Sequence, residues 1–272
     1  MSSLLSSGVE IVAPRRFGTG FRWLLASSWV SNLGDGIAIA AGPLLVASMT
    51  HDPFLVALGA LLQWLPPLVF GLLAGALADR LDRRLIIVTV DVLRACVLVL
   101  LTLAIATDVV SIALVLVAMF LLGTAEVFAD NTSATLLPML VRREDFAVAN
   151  SRLMTGFITV NQLAGPPIGA ALFAVGHALP FASQAAVVAL GAVLVSRVAL
   201  PPHRREVEPD RHLRHDIAEA FRWVLHNAAV RTLVLTIFVF NITFGAAWSI
   251  LVLYATQRLG MGAIGFGLLT TV

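Results

Sequence analysis

The chain has 272 residues, 59% of them hydrophobic and 12% charged, with a mean hydropathy of +0.93. A water-soluble domain carries about one-quarter charged residues, so this composition would leave large apolar patches in water and excludes an ordinary soluble enzyme. The net charge of +2 comes from 18 arginines and no lysine, without a basic cluster on a polar fold to hold nucleic acid, and the single Cys96 excludes an intrachain disulfide.

A bilayer core takes about 20 apolar residues as a helix. In chain order, runs of that length occur at Trp23–Met49, Phe54–Ala78, Leu85–Ala106, Val109–Asp130, Val148–Val175 and Leu179–Leu200. A seventh spans Thr232–Thr256, and an eighth opens at Ile264. The runs lack two-residue alternation and are far longer than barrel strands, which predicts an all-α polytopic membrane protein. The organisation follows: a cytoplasmic N-terminus over 1–22, a six-span bundle over 23–200, a connector over 201–230 and the start of a second bundle over 231–272.

Orientation follows from arginine, which accumulates on the cytoplasmic side of membrane proteins. Sixteen of the 18 fall at one end if the spans alternate, with Arg258 alone at the other and Arg94 inside span 3. The N-terminus is therefore predicted to be cytoplasmic, in a multi-pass plasma-membrane protein. Within the connector, Leu213, Ile217, Ala220, Phe221, Val224 and Leu225 recur at helical spacing, predicting an amphipathic helix on the membrane surface. Its His212, His215 and His226 read as a solvated face, and no metal site is expected. Shifting the chain by 209 residues lays Arg22 on Arg231, Asn32 on Asn241 and Gly36 on Gly245. That repeat predicts a second six-span copy of which only the beginning is present, so the chain is expected to be truncated.

The most specific motif is Gly75-Ala-Leu-Ala-Asp79-Arg80-Leu-Asp82-Arg83-Arg84 between spans 2 and 3. It resembles the loop 2–3 signature of the major facilitator superfamily, with Asp82 where the general pattern has glycine. With Leu65-Pro66-Pro67 and Asp91-Val-Leu-Arg94, the variant is similar to the branch that includes the enterobactin exporter. The resemblance implies a major-facilitator six-helix N-terminal bundle and a loop that acts as a gate through Gly75, Asp79, Arg80, Asp82, Arg83 and Arg84.

Each ionised group at bilayer mid-depth costs about 2.5–3.5 kcal/mol on insertion scales, so buried charges demand a reason. Asp35 lies near the middle of span 1, on a helix face that Ser31 and Asn32 can share, which predicts a face lining a central cavity. Asp91 and Arg94 are i, i+3 on span 3; Glu126 and Asp130 are i, i+4 on span 4. Side-chain lean predicts one charge network of Asp79, Asp91, Arg94, Glu126 and Asp130, with Asp35 a proton or substrate site. The alternative is a static ion-pair cluster beside a bent Gly34-Asp35-Gly36 patch. Asn161, Gln162, Phe128 and Phe157 are further cavity candidates. Span 4 lacks the arginine-rich pattern of many drug/proton antiporters, and Gly165-Pro166-Pro167-Ile-Gly169 in span 5 partly matches the antiporter signature.

The leading expectation is a secondary transporter that exports a small amphipathic compound by alternating access, driven by protons. No phosphate-binding loop is present, so neither ATP nor another cofactor is expected. Two alternatives remain open: a non-transporting remnant, and a lipid-synthesis enzyme using Asp79-x-x-Asp82 to hold magnesium.

Overall fold

The computed structural model describes residues 14–200 and 222–271. Most of the predicted amphipathic connector, including Leu213, Ile217, Ala220, Phe221, His212 and His215, lies outside the described residues.

Every regular element described is helical. A tight turn at Arg15–Phe17 leads into α1 (Gly18–Met49), followed by α2 (Pro53–Arg80), α3 (Arg83–Ala106) and α4 (Ile112–Ala134, with a short extension at Leu137–Leu140). Three consecutive segments, Phe146–Gly156, Phe157–Ala164 and Gly165–Val175, make α5, and α6 is Leu179–Ser196. Then come α7 (Ala228–Ser249, continued by Leu251–Leu253 and Tyr254–Arg258) and α8 (Ala263–Leu269). Seven of these stretches are long and apolar enough to cross a membrane. Span 4 continues to Ala134, past its predicted end at Asp130, so that carboxylate sits within the helix.

Local sequence explains the boundaries. The Asp52 carboxylate caps α2 by accepting from the Phe54 amide at 2.9 Å, with Pro53 at the first helical position where its missing N–H costs nothing. Asp82 caps α3 through the Leu85 amide at 3.1 Å. Ser111 and Asn227 open α4 and α7 in the same way. The middle segment of α5, Phe157–Ala164, is a π-helix. Pro166 and Pro167 supply no amide hydrogens to Gln162 and Leu163, so the ordinary ladder cannot run through and a wider turn takes up the break.

In lipid, apolar burial gives no drive for helix association; close packing of small residues does. α1 packs on α5 and α6, α3 on α4 and α6, and α2 on α4. Glycine makes the closest of these crossings. A Cβ on Gly36 would strike the Asn161 backbone and Gly165 of α5, and one on Gly169 would strike the Ile37 backbone. Gly123 of α4 meets the Gln63 backbone of α2, with a would-be Cβ 2.7 Å from its carbonyl oxygen. The leucines that remain exposed, such as Leu68, Leu72 and Leu100, face outward as a lipid-contacting surface requires. Gly71 and Gly75 of α2 differ: among the described residues a Cβ on either would meet nothing within 4 Å, so no described helix crosses closely there.

Among the described residues, α7 and α8 pack on the first bundle at one end. No residue of Ala228–Ser249 is buried, whereas Val252, Leu253, Ala255 and Phe266 join a core with Leu44, Leu45 and Phe173. Gly267 of α8 sits on α5, where a Cβ would come 2.9 Å from the Pro166 carbonyl oxygen. The His51 and Gln257 side chains meet at 3.3 Å at the same end. That is the arginine-poor end; among the described residues, the arginine-rich end of α7 has no buried side chain.

Candidate functional site

Arg94 is the centre of the site. Its side chain is 3% exposed, an extreme position for a guanidinium, and it holds together carboxylates from two helices. Nη2 donates to Oδ1 of Asp35 on α1, in a short contact. Nη1 reaches Oδ1 of Asp91, three residues earlier on α3, at 3.5 Å. The lean of helical side chains toward the N-terminus carries the Arg94 head back over Asp91, as the spacing predicts. Asp91 is itself 2% exposed. The Arg94 Nε is buried without a hydrogen-bond partner.

Glu126 and Asp130, one turn apart on α4, lie within Coulombic range of both Arg94 and Asp35. Five of the predicted charges therefore share one locality where α1, α3 and α4 meet. Asp35 belongs to that network rather than forming a separate site. It is placed there by its neighbours: Gly36 seats against α5, and Gly34 faces Gln184 and Val188 of α6, 3.5 Å from where a Cβ would stand, which fixes the rotation of α1.

Asp79 stands apart. It pairs with Arg83 at 3.7 Å, is 74% exposed, and marks the end of α2. Arg83 also donates from Nε to the Ala78 carbonyl at 3.1 Å and from Nη1 to the Met139 sulfur at 2.7 Å, tying the loop to the α4 extension. Arg80, Asp82 and Arg84 are exposed. Asp82 in the usual glycine position has a local reason, because its carboxylate is the α3 cap.

The remaining cavity candidates divide. Asn161 is buried on the π-helical turn beside Gly36, while Gln162 and Phe157 are exposed. Asn32 folds back, its Nδ2 donating to the Ser28 carbonyl at 2.7 Å and to the Ser28 hydroxyl at 3.3 Å. Ser31 stands against Gly191 of α6, where Ser27 Oγ also donates to the Gly191 carbonyl at 3.0 Å. Phe128 packs on Phe70, ring centroids 6.4 Å apart. Sequence reasoning did not single out Gln184, 3% exposed on α6, or Met139; a polar residue within an apolar span was the available signal for the first. Among the described residues, no group of three or more histidine, cysteine or acidic side chains is arranged to hold a metal.

Comparison with known proteins places this geometry. The chain is similar in structure to a bacterial homologue of the human lysosomal transporter Spinster, solved in an inward-facing, unoccupied conformation. The two share 17% identity with a TM-score of 0.72, over 95% of this chain and 59% of the other, so the likeness concerns the fold. A comparison with curated proteins finds no match. Residues 11–272 match the family model described as transmembrane secretion effector. The chain belongs to that family, within the major facilitator superfamily.

Proposed function

We propose that the chain forms a secondary transporter of the plasma membrane, N-terminus cytoplasmic, that exports a small amphipathic compound by alternating access in exchange for protons. The observation that carries this reading is the buried cluster around Arg94. Two carboxylates contact the one guanidinium and two more, Glu126 and Asp130, stand on the neighbouring α4, an excess of acidic groups that a bilayer interior holds best with added cations, of which protons are the smallest. Arg94 links α1 to α3, so a change in how its partners are charged alters the forces between helices. The one-ended docking of α7 and α8 supports a state open toward the arginine-rich side. The Spinster homologue, which this fold resembles, was captured inward-facing. The gate-loop role of Gly75, Asp79 and Arg83 belongs to the same proposal, as does similarity to the enterobactin-exporter branch.

The lipid-synthesis reading loses support from the loop. Asp82 is committed to capping α3 and Asp79 to Arg83, which leaves no convergent carboxylate pair for magnesium.

The test is dye or siderophore efflux from vesicles holding the full chain, with and without a proton-gradient uncoupler. Efflux that stops on uncoupling, and is lost in Arg94→Leu at normal membrane insertion, is the expected result. Efflux by Arg94→Leu at the parent rate overturns the reading.

A further inference from the structure

A second site lies at the arginine-poor end, about 21 Å from Arg94 along α3 at 1.5 Å per residue. The α3 helix ends in a left-handed turn, with the Val109 amide donating to the Ala104 carbonyl at 3.1 Å and the Asp108 amide to Ile105 at 3.3 Å. Asp108 holds the left-handed residue of that turn at φ 56°, and it is the only non-glycine residue described there with positive φ. Glycine or asparagine usually fills such a position. The carboxylate gains nothing from its own backbone, and among the described residues it has no hydrogen-bond or ion-pair partner.

Asp108 is among the residues lining an open pocket of about 420 Å³ between the ends of α1 and α3 and the α5–α6 turn. Leu45, Met49, Ile105, Val110 and Leu179 give it apolar walls, and no arginine is among its lining residues. His177, on the opposite turn, lines it too; its ring stacks on Phe173 with centroids 4.5 Å apart and planes 14° apart, which holds the imidazole in place. The Ser48 hydroxyl donates to the Leu45 carbonyl at 2.7 Å, which leaves its oxygen able to accept from a cationic head. Volume, apolar walls and a few polar groups are the attributes of a small-ligand site, which usually measures about 300–1,000 Å³.

We propose that this cavity binds an ammonium group carried on a small apolar body. Asp108 takes the cationic head, His177 offers a ring nitrogen as a hydrogen-bond partner, and the apolar walls take the body. Two sources share this chemistry, a free lipophilic amine and the ethanolamine headgroup of a lipid. The site is separate from the Arg94 cluster and does not depend on its role.

The test uses the full chain in lipid-free maltoside micelles and equilibrium dialysis of radiolabelled 2-phenylethylamine, with unlabelled 2-phenylethanol as neutral competitor. Saturable amine binding that the alcohol fails to displace is expected. Asp108→Asn and Asp108→Gly should each weaken it about three- to fivefold, the effect of one exposed charge pair. Both replacements suit the left-handed turn, so the unfolding temperature should stay level or rise while binding falls. Displacement by added phosphatidylethanolamine identifies the lipid headgroup as the source, and its failure identifies a free amine. Equal binding by the parent and both Asp108 variants overturns the proposal.

Discussion

Arg94 shows how a buried charge depends on the partners held against it. Removing one partner of a buried ion pair strands the other, a penalty of about 3–5 kcal/mol in proteins generally. Asp35→Asn should therefore be felt twice, in stability and in transport. It leaves Arg94 with Asp91 at 3.5 Å as its measured ion-pair partner. Detergent melting of that variant should fall by several degrees, with uncoupler-sensitive efflux lost. An unchanged melting temperature would show that the α1–α3 link contributes little. Asp82 offers a milder contrast. Losing the α3 cap in Asp82→Ala should cost about 1 kcal/mol, whereas Asp82→Gly should cost only a few tenths. The pair of melting curves separates capping from gating, because both variants lack the carboxylate but only the alanine removes a tolerated cap residue. At this scale the sequence was informative about which residues are charged and buried, and about the Asp91–Arg94 spacing. It could not show Asp35 reaching Arg94, since 59 residues separate them and only the rotation of α1 brings them together.

At the scale of elements, glycine positions decide which helices approach. Gly36 permits α1 to lie against the Asn161 backbone, and a valine there has no flexible neighbour to push aside. Gly36→Val should cost at least about 1–3 kcal/mol through overpacking and turn Asp35 away from Arg94. Gly75→Val should leave the melting temperature unchanged, because a Cβ there meets open space. Loss of efflux by Gly75→Val despite normal melting would be the mark of a contact made only in another state of the cycle. The sequence assigned Gly75 to the loop motif and Gly36 to a bent patch; which of them meets a neighbouring backbone is visible only in the packing. The π-helical turn of α5 was half legible. Gly165-Pro166-Pro167 announces a break, but whether the chain kinks or widens depends on the packing of Asn161 against Gly36.

For the molecule as a whole, the spans were the most legible feature, because their length and apolar content are set by the bilayer itself. The side to which α7 and α8 close was not, since it depends on long-range packing. In the state described, a cysteine placed at Thr243 should react readily with a water-soluble maleimide added at the arginine-rich side, in a Cys96→Ser background. One placed at Ala170, buried beneath Gly267, should react poorly. Substrate and an imposed proton gradient should move the two rates in opposite directions. Rates that stay fixed under both treatments would mean that α7 and α8 do not leave the first bundle.

Phe240, Phe244 and Trp248 form a continuous aromatic ladder on α7, with centroid spacings of 5.8 and 5.5 Å. The indole is its last rung, beside the break at Ile250 where the free part of the helix gives way to the docked part. A protein retaining Trp248 as its sole indole would thus carry a native optical sensor. Brominated acyl chains should dim its emission to a degree that tracks how far that helix leans into lipid, turn by turn, without any attached dye.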